Sequence, residues 1–348
     1  MVSRRHSQLS CQTLSNVGTS QAGSYTVTVT NALGSVTSNT ATLTVNYSAR
    51  LDNLSARAYV GTGGNILIAG FNISGSGTKN LLLRGVGPTL AEAPYDVAGA
   101  LSTPQLTLYD TSAAPGPYPI VTNVGWGNPF TLGTSNVSVS PQPATATLMN
   151  SVGAFPLSAG SADCALEVTP PTGGYTSQIT GVGNSSGVAL AEIYDADTGV
   201  PTARLTNISA RAVVGIGGNI AIGGFEITGT TSETVLIRGV GPGLAGVGIP
   251  SGFLAQPQLT LFDTVGSGNV IAANSGWSTN PTIGPSTVQA GVQPATTAVM
   301  NSVGAFPLTP GSADAAVIVT LPPGGYTVQV SGAGGATGIT LVEVSEIP

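Results

Sequence analysis

The chain has one histidine, His6, one lysine, Lys79, and two cysteines far apart, Cys11 and Cys164. A Ser-His-Asp or Cys-His centre, a histidine-ligated zinc and a histidine general base all need imidazole, and His6 stands at the very start. An amine nucleophile needs a desolvated pocket, whereas Lys79 follows the turn-like run Gly75-Ser76-Gly77-Thr78. Two scattered thiols make neither a disulfide framework nor a metal site, and Cys164 reads as a small core residue. Carboxylates remain. Asp163 with Glu192 could serve as the acid and base of a glycoside hydrolase if they faced each other across a cleft. Asp195-Ala196-Asp197-Thr198-Gly199 opens like a calcium loop, but no later acidic residue completes it, so Asp195 and Asp197 form a weak metal candidate. Trp126 and Trp277 are the only tryptophans, each in Asn-x-Gly-Trp. Exposed, they would stack on sugar rings; buried, each indole N–H would need a carbonyl.

These residues sit in an internal repeat. Arg50-Leu51-x-Asn53-x-Ser55-Ala56-Arg57-Ala58 returns as Arg204-Leu205-x-Asn207-x-Ser209-Ala210-Arg211-Ala212, and residues 50–91 match 204–245 at 26 of 42 positions without a gap. Met149 to Leu157 recurs unchanged as Met300 to Leu308, and both copies continue through a Pro-Pro pair to Gly-Gly-Tyr-Thr. Six charged positions persist in both copies: Arg50/Arg204, Arg57/Arg211, Arg84/Arg238, Asp110/Asp263, Asp163/Asp314 and Glu192/Glu343. In so uncharged a chain this predicts ion pairs on partly buried strands, drawn from Arg57, Arg84, Asp163 and Glu192 and from Arg211, Arg238, Asp314 and Glu343. Arginine offers such carboxylates a rigid fork of donors.

Short apolar or alternating runs such as Asn65–Ile73, Leu81–Arg84, Gln105–Tyr109, Ala165–Val168 and Val188–Ile193 are punctuated by Gly, Pro, Asn and Asp. They read as strands, and no segment holds a helical apolar period for three turns. Gly61-Thr62-Gly63-Gly64 and Gly215-Ile216-Gly217-Gly218 precede strand-like residues rather than a helix, so they read as hairpin turns and not phosphate cradles. The expected fold is all-β: two tandem antiparallel β-sandwich or jelly-roll-like modules, 47–197 and 204–348, joined by a linker at 198–203.

Residues 1–46 differ. Leu14–Val17, Gln21–Asn31, Gly34–Val36 and Ala41–Val45 resemble strands E, F and G of a bacterial, cysteine-free immunoglobulin-like domain, with Tyr25 at the tyrosine corner. Asn-x-Ser-x-Arg, Gly-x-Gly-x-Asn, Ile-x-Gly-Phe, Arg-Gly-Val-Gly-Pro-x-Leu and Pro-x-Leu-x-Leu across 50–348 resemble an uncharacterised all-β repeat of large bacterial surface and secreted proteins. That resemblance implies a location, extracellular or cell-surface, and no activity.

Lys and Arg number 9 against 15 Asp and Glu, a net charge of −6, and only 7% of residues are charged; soluble domains average roughly 25%. Without a basic cluster no nucleic-acid partner is expected. No apolar run approaches the ~20 residues of a spanning helix, so no membrane insertion is expected. The start carries Arg4 and Arg5 without an apolar stretch behind them, which places the export signal upstream. The expected function is a non-enzymatic structural or adhesion array of a larger surface protein, without cofactors, its partners polysaccharide or another surface protein. A carbohydrate-binding array on Trp126 and Trp277 is the alternative, and a carboxylate-only hydrolase the third.

Overall fold

The structure is a computed structural model, and it describes residues 21–46, 48–112, 116–199, 202–264 and 268–348. His6, Cys11 and the strand expected at 14–17 lie outside the described residues, as do residues 200 and 201 of the linker. The chain divides into two compact units, one containing residues 21–46 and the other 48–197 with 202–348.

In the smaller unit β1 (Gly23–Tyr25) pairs antiparallel with β4 (Ala41–Leu43), and β2 (Thr28–Asn31) with β3 (Gly34–Thr37). Val29 and Val36 on the hairpin are exposed. The Tyr25 hydroxyl donates to the Gln21 carbonyl at 2.5 Å, four residues back along the chain.

The larger unit is a mainly antiparallel sandwich, with parallel pairing at Leu205↔Leu51 and Val213↔Tyr59; among the described residues no helix exceeds six residues. Its first half supplies β5 (Arg50–Val60), β6 (Leu67–Thr78), β7 (Leu81–Val86), β8 (Pro104–Asp110), β9 (Tyr118–Asn123), β10 (Thr131–Leu132), β11 (Gln142–Pro143), β12 (Cys164–Val168), β13 (Pro171–Gly181) and β14 (Gly187–Asp195). Its second half supplies β15 (Arg204–Val214), β16 (Ala221–Thr228), β17 (Glu233–Val240), β18 (Pro257–Asp263), β19 (Val270–Asn274), β20 (Thr282–Ile283), β21 (Gly291–Pro294), β22 (Ala315–Leu321), β23 (Gly324–Gly332) and β24 (Gly338–Glu346).

Within each half, pairing builds two ribbons. In the first half β11, β12, β7, β14 and β5 neighbour one another in that order, and β10, β9, β8, β13 and β6 form the second ribbon. The second half repeats the pattern as β21, β22, β17, β24, β15 and as β20, β19, β18, β23, β16. The glycine turn after β5 therefore carries the chain from one sheet to the other. It closes tightly, with Gly63 at φ 63° and Gly217 at φ 62°, but as an arch rather than the expected hairpin.

The halves meet edge to edge. β5 pairs antiparallel with β16 from Arg57↔Ile222 to Arg50↔Thr228, and β15 pairs with β6 through Leu205↔Ile73 and Arg204↔Ser74. The junction is reciprocal: Leu51↔Ile227 on one side answers Leu205↔Ile73 on the other. Close approach needs glycine there, since a Cβ on Gly70 would lie 2.6 Å from Ser209 Oγ and one on Gly224 2.5 Å from Ser55 Oγ. Two ten-strand layers result, linked where β15 also pairs parallel with β5 through Leu205↔Leu51 and Val213↔Tyr59. Where two modules joined by a linker are expected from the repeat, residues 48–197 and 202–348 form one unit.

Alternation drives this arrangement. Leu51, Leu54, Ala56, Ala58 and Val60 of β5, and Leu205, Ile208, Ala210, Ala212 and Val214 of β15, all point into one core that runs through both halves. The pattern on β5 skips a residue where Asp52 bulges between Asn53↔Glu226 and Leu51↔Ile227. Two smaller apolar clusters cover the outer faces. Leu82, Val86, Leu90, Met149 and Leu157 form one, and Leu236, Val240, Leu244, Met300 and Leu308 the other. Each is roofed by a short helix, α1 (Ala146–Ser151) or α2 (Thr297–Ser302), capped by Thr145 or Thr296 accepting the N–H of Leu148 or Val299.

The outermost strands are short and proline-marked: β10 and β20 have two residues each, and β11 and β21 end in Pro143 and Pro294. Because the inner edges are long and apolar, halves 48–199 and 202–348 produced separately should each grow in size with concentration under light scattering. Mixed, they should recover one 1:1 complex; two stable monomers that ignore each other would contradict the shared core.

Candidate functional site

The retained charges lie mostly under the outer roofs. Arg84 on β7 faces Glu192 on β14, with Nε 3.0 Å from Oε2 but out of line for a hydrogen bond. Arg84 donates to the Phe155 carbonyl at 2.8 Å, and its guanidinium lies 4.2 Å above the Phe155 ring. Glu192 also accepts the Tyr194 hydroxyl at 2.7 Å. The second half repeats this: Arg238 donates from Nε to Glu343 at 2.6 Å and from Nη1 to the Phe306 carbonyl at 2.7 Å, and its guanidinium lies 4.4 Å over the Phe306 ring. Here Asn207 donates to Glu343 at 2.8 Å. Both arginines are fully buried. Burial pushes the Glu192 carboxyl up, and the facing Arg84 charge pulls it back. These pairs clip the Phe-Pro-Leu loop onto the sheet.

Asp163 and Asp314 do not join them. Asp163 accepts the Gly87 N–H at 2.7 Å, the Thr89 hydroxyl at 2.5 Å and the Ser161 hydroxyl at 2.7 Å. Asp314 accepts the N–H groups of Gly241 and Gly243 at 2.8 and 3.1 Å and the Ser312 hydroxyl at 2.6 Å. The expected ion pairing of these two aspartates is corrected: turn donors satisfy them, and among the described residues no Arg or Lys lies within 4.0 Å. Arg57 and Arg211 likewise have no carboxylate within that distance; burial lowers the Arg211 pKa. Asp163 is 0% exposed and Glu192 3%, each held by its own donors, so the expected hydrolase pair faces no cleft.

Both tryptophans pack into the roofs. Trp277 is 5% exposed and its indole N–H donates to the Thr309 carbonyl at 3.0 Å; Trp126 is half-buried and donates to the Ser158 carbonyl at 3.1 Å. The stacking platform is therefore corrected for Trp277, whose ring faces protein on both sides. Cys164 is buried between the Pro104 and Asn123 carbonyls, and burial pushes its thiol up to about 11. Asp195 and Asp197 converge on a cation from the chain itself: Lys79 Nζ stands 2.5 Å from Asp195 and 2.8 Å from Asp197. Lys79 is 0% exposed, in place of the surface turn expected for it.

A cavity of about 550 Å³ opens at the junction of the halves. Ser48, Ala49, Asn72 and Ser74 come from the first half, and Arg204, Thr206, Asn207, Glu233, Ser302 and Glu346 from the second. Arg204 holds two carboxylates, Glu346 at 2.7 Å and Glu233 at 3.5 Å, and donates to the Ala49 carbonyl at 3.0 Å. Glu346 accepts the Leu51 N–H at 2.8 Å as well. Burial, reinforced by Glu346, pushes Glu233 up to about 7, against the pull of Arg204. Burial also raises Asp52, to about 6, with Asp195 adding to the effect. Sequence reasoning missed this group, although Lys79 stands against Glu233 in the aligned repeat. Compared with protein-family models and with curated proteins, the chain matches none. Among the described residues no helix is long and apolar enough to cross a membrane.

Two outcomes follow. Arg84→Met alone leaves Glu192 buried without its counter-charge and should cost about 3–5 kcal/mol in denaturant unfolding, most of it recovered in Arg84→Met/Glu192→Met. Glu233 and Asp52 bind their protons more tightly folded than unfolded. Their contribution is therefore most favourable below about pH 4, and stability falls as pH rises from there to about 7. Thermal midpoints measured across that range should fall less in Glu233→Gln than in the parent chain.

Proposed function

We propose that this chain is a non-catalytic structural and adhesive segment of a larger extracellular or cell-surface protein of bacterial type. In this reading residues 1–46 belong to the C-terminal part of an immunoglobulin-like domain, and the duplicated region forms the body that is displayed. One observation carries it. The charged residues kept in both copies serve the scaffold, Arg84 with Glu192 and Arg238 with Glu343 holding the roofs, Asp163 and Asp314 the turns beneath them. A surface of Ser, Thr, Gly and Asn with few charges suits contact with another polymer or protein. Carbohydrate binding through Trp126 and Trp277 is the weaker reading, because Trp277 is enclosed.

A tethered chain pulled between its ends checks the structural reading. Residues 48–348 should extend in one step of about 1,000 Å at ~3.4 Å per residue, because both halves share two sheets. Two steps of equal length would mean independent modules. New reducing ends from any member of a polysaccharide panel would overturn the non-catalytic assignment.

A further inference from the structure

The scaffold leaves the cleft at the junction without a task, and the repeat shows what its chemistry lacks. Strand register makes the two copies comparable atom group by atom group: Asp195 stands opposite Leu81 as Glu346 stands opposite Val235. In the first copy the space beside Asp195 is filled. Lys79 brings in its ammonium on a four-carbon stem, and Asp195 and Asp197 receive it at 2.5 and 2.8 Å. Arg50 adds a second positive charge 3.7 Å from Asp195 and 3.9 Å from Asp52, so the Lys79 ammonium sits in a cluster of two cations and three carboxylates.

In the second copy the same space is open. Glu233 replaces Lys79 and Pro348 replaces Asp197, while the acid at Asp195 is kept as Glu346. All three second-copy residues line the 550 Å³ cavity, a volume within the roughly 300–1,000 Å³ of small-molecule sites. Two carboxylates now share the Arg204 guanidinium, and Arg50 also pulls on Glu346. Glu346 is held by Arg204 at 2.7 Å and by the Leu51 N–H, whereas Glu233 has Arg204 at the longer distance of 3.5 Å and a backbone hydrogen bond at Thr234. Glu233 is therefore the less tightly paired carboxylate at the cavity wall, and the Ser74 and Thr206 hydroxyls, 2.9 Å apart, offer polar contacts in the same cavity.

We propose that this cleft binds the ammonium group of a primary alkylamine, a lysine side chain or a free diamine, with Glu233 and Glu346 as its counter-ions. The bound ammonium takes the role that Lys79 fills internally in the first copy. The inference stands apart from the scaffold reading.

The test is a calorimetric titration of the whole chain with Nα-acetyl-lysine amide and, separately, with 1,5-diaminopentane. Either should bind saturably, the tighter one identifying the source, and the Nε-acetylated lysine derivative should not bind. Affinity should be about tenfold higher at pH 8 than at pH 6, because Glu233 ionises near 7 while the probe stays cationic. Arg204 and Glu346 are the charged groups facing Glu233, and Glu346, raised by burial, shifts affinity in the same direction. Glu233→Lys should abolish binding with the fold intact by circular dichroism, since the first copy houses a lysine at this place; Glu233→Gln should weaken it at least several-fold. No saturable binding at either pH, equal binding of the neutral derivative, or unchanged affinity in both variants would overturn the proposal and leave the scaffold reading untouched.

Discussion

Two reciprocal ladders, β5 on β16 and β6 on β15, are what the rest of the larger unit depends on. Each copy alone would end in two long strands with unsatisfied backbone groups and an apolar inner face. Pairing them across the repeat satisfies both at once and lets a single core run from Leu51 to Val344. The same register decides where charge collects. It sets Arg50 against Thr228 and Arg204 against Ser74 at the ends of the ladders, so both arginines and their carboxylates gather at the seam.

Under the roofs the duplicates stayed alike, and at the seam they diverged. An Arg–Glu pair beneath a phenylalanine is intolerant of change, because losing one partner strands a buried charge. Arg84 with Glu192 and Arg238 with Glu343 accordingly keep the ion pair, the phenylalanine carbonyl and the ring contact in both halves, while the second donor to the glutamate changes from Tyr194 to Asn207. At the seam Lys79 is locked between two aspartates, whereas Glu233 borders an open cleft with Arg204 at 3.5 Å. Exchanging a cation for an anion there emptied a space instead of collapsing it, since the surrounding strands are held by their ladders.

Strand identity was legible because alternation and glycine-rich punctuation are local signals, and β5 and β15 show both. Arg84–Glu192 was legible because charges are so scarce that retained ones invite pairing. Asp163 misled for a physical reason: its donors are mostly backbone N–H groups and hydroxyls of a turn, and backbone groups leave no mark in the residue types. Trp277 was ambiguous, because a buried indole and an exposed one have the same neighbours in sequence. The shared sandwich was hidden because the residues that pair across the copies are those that could pair within one. Lys79 was misplaced because glycine and serine before it suggest solvent, while the carboxylates that bury it come from more than a hundred residues later.

The outer strands bear on how so weakly charged a chain stays dispersed. Colloids commonly rely on mutual repulsion, and a net charge of −6 over 348 residues supplies little of it. Here both sheets run out in two-residue strands or in strands closed by Pro143 or Pro294, which withhold the N–H donors a newcomer needs. Lateral addition is thus opposed at these edges by backbone geometry rather than by charge.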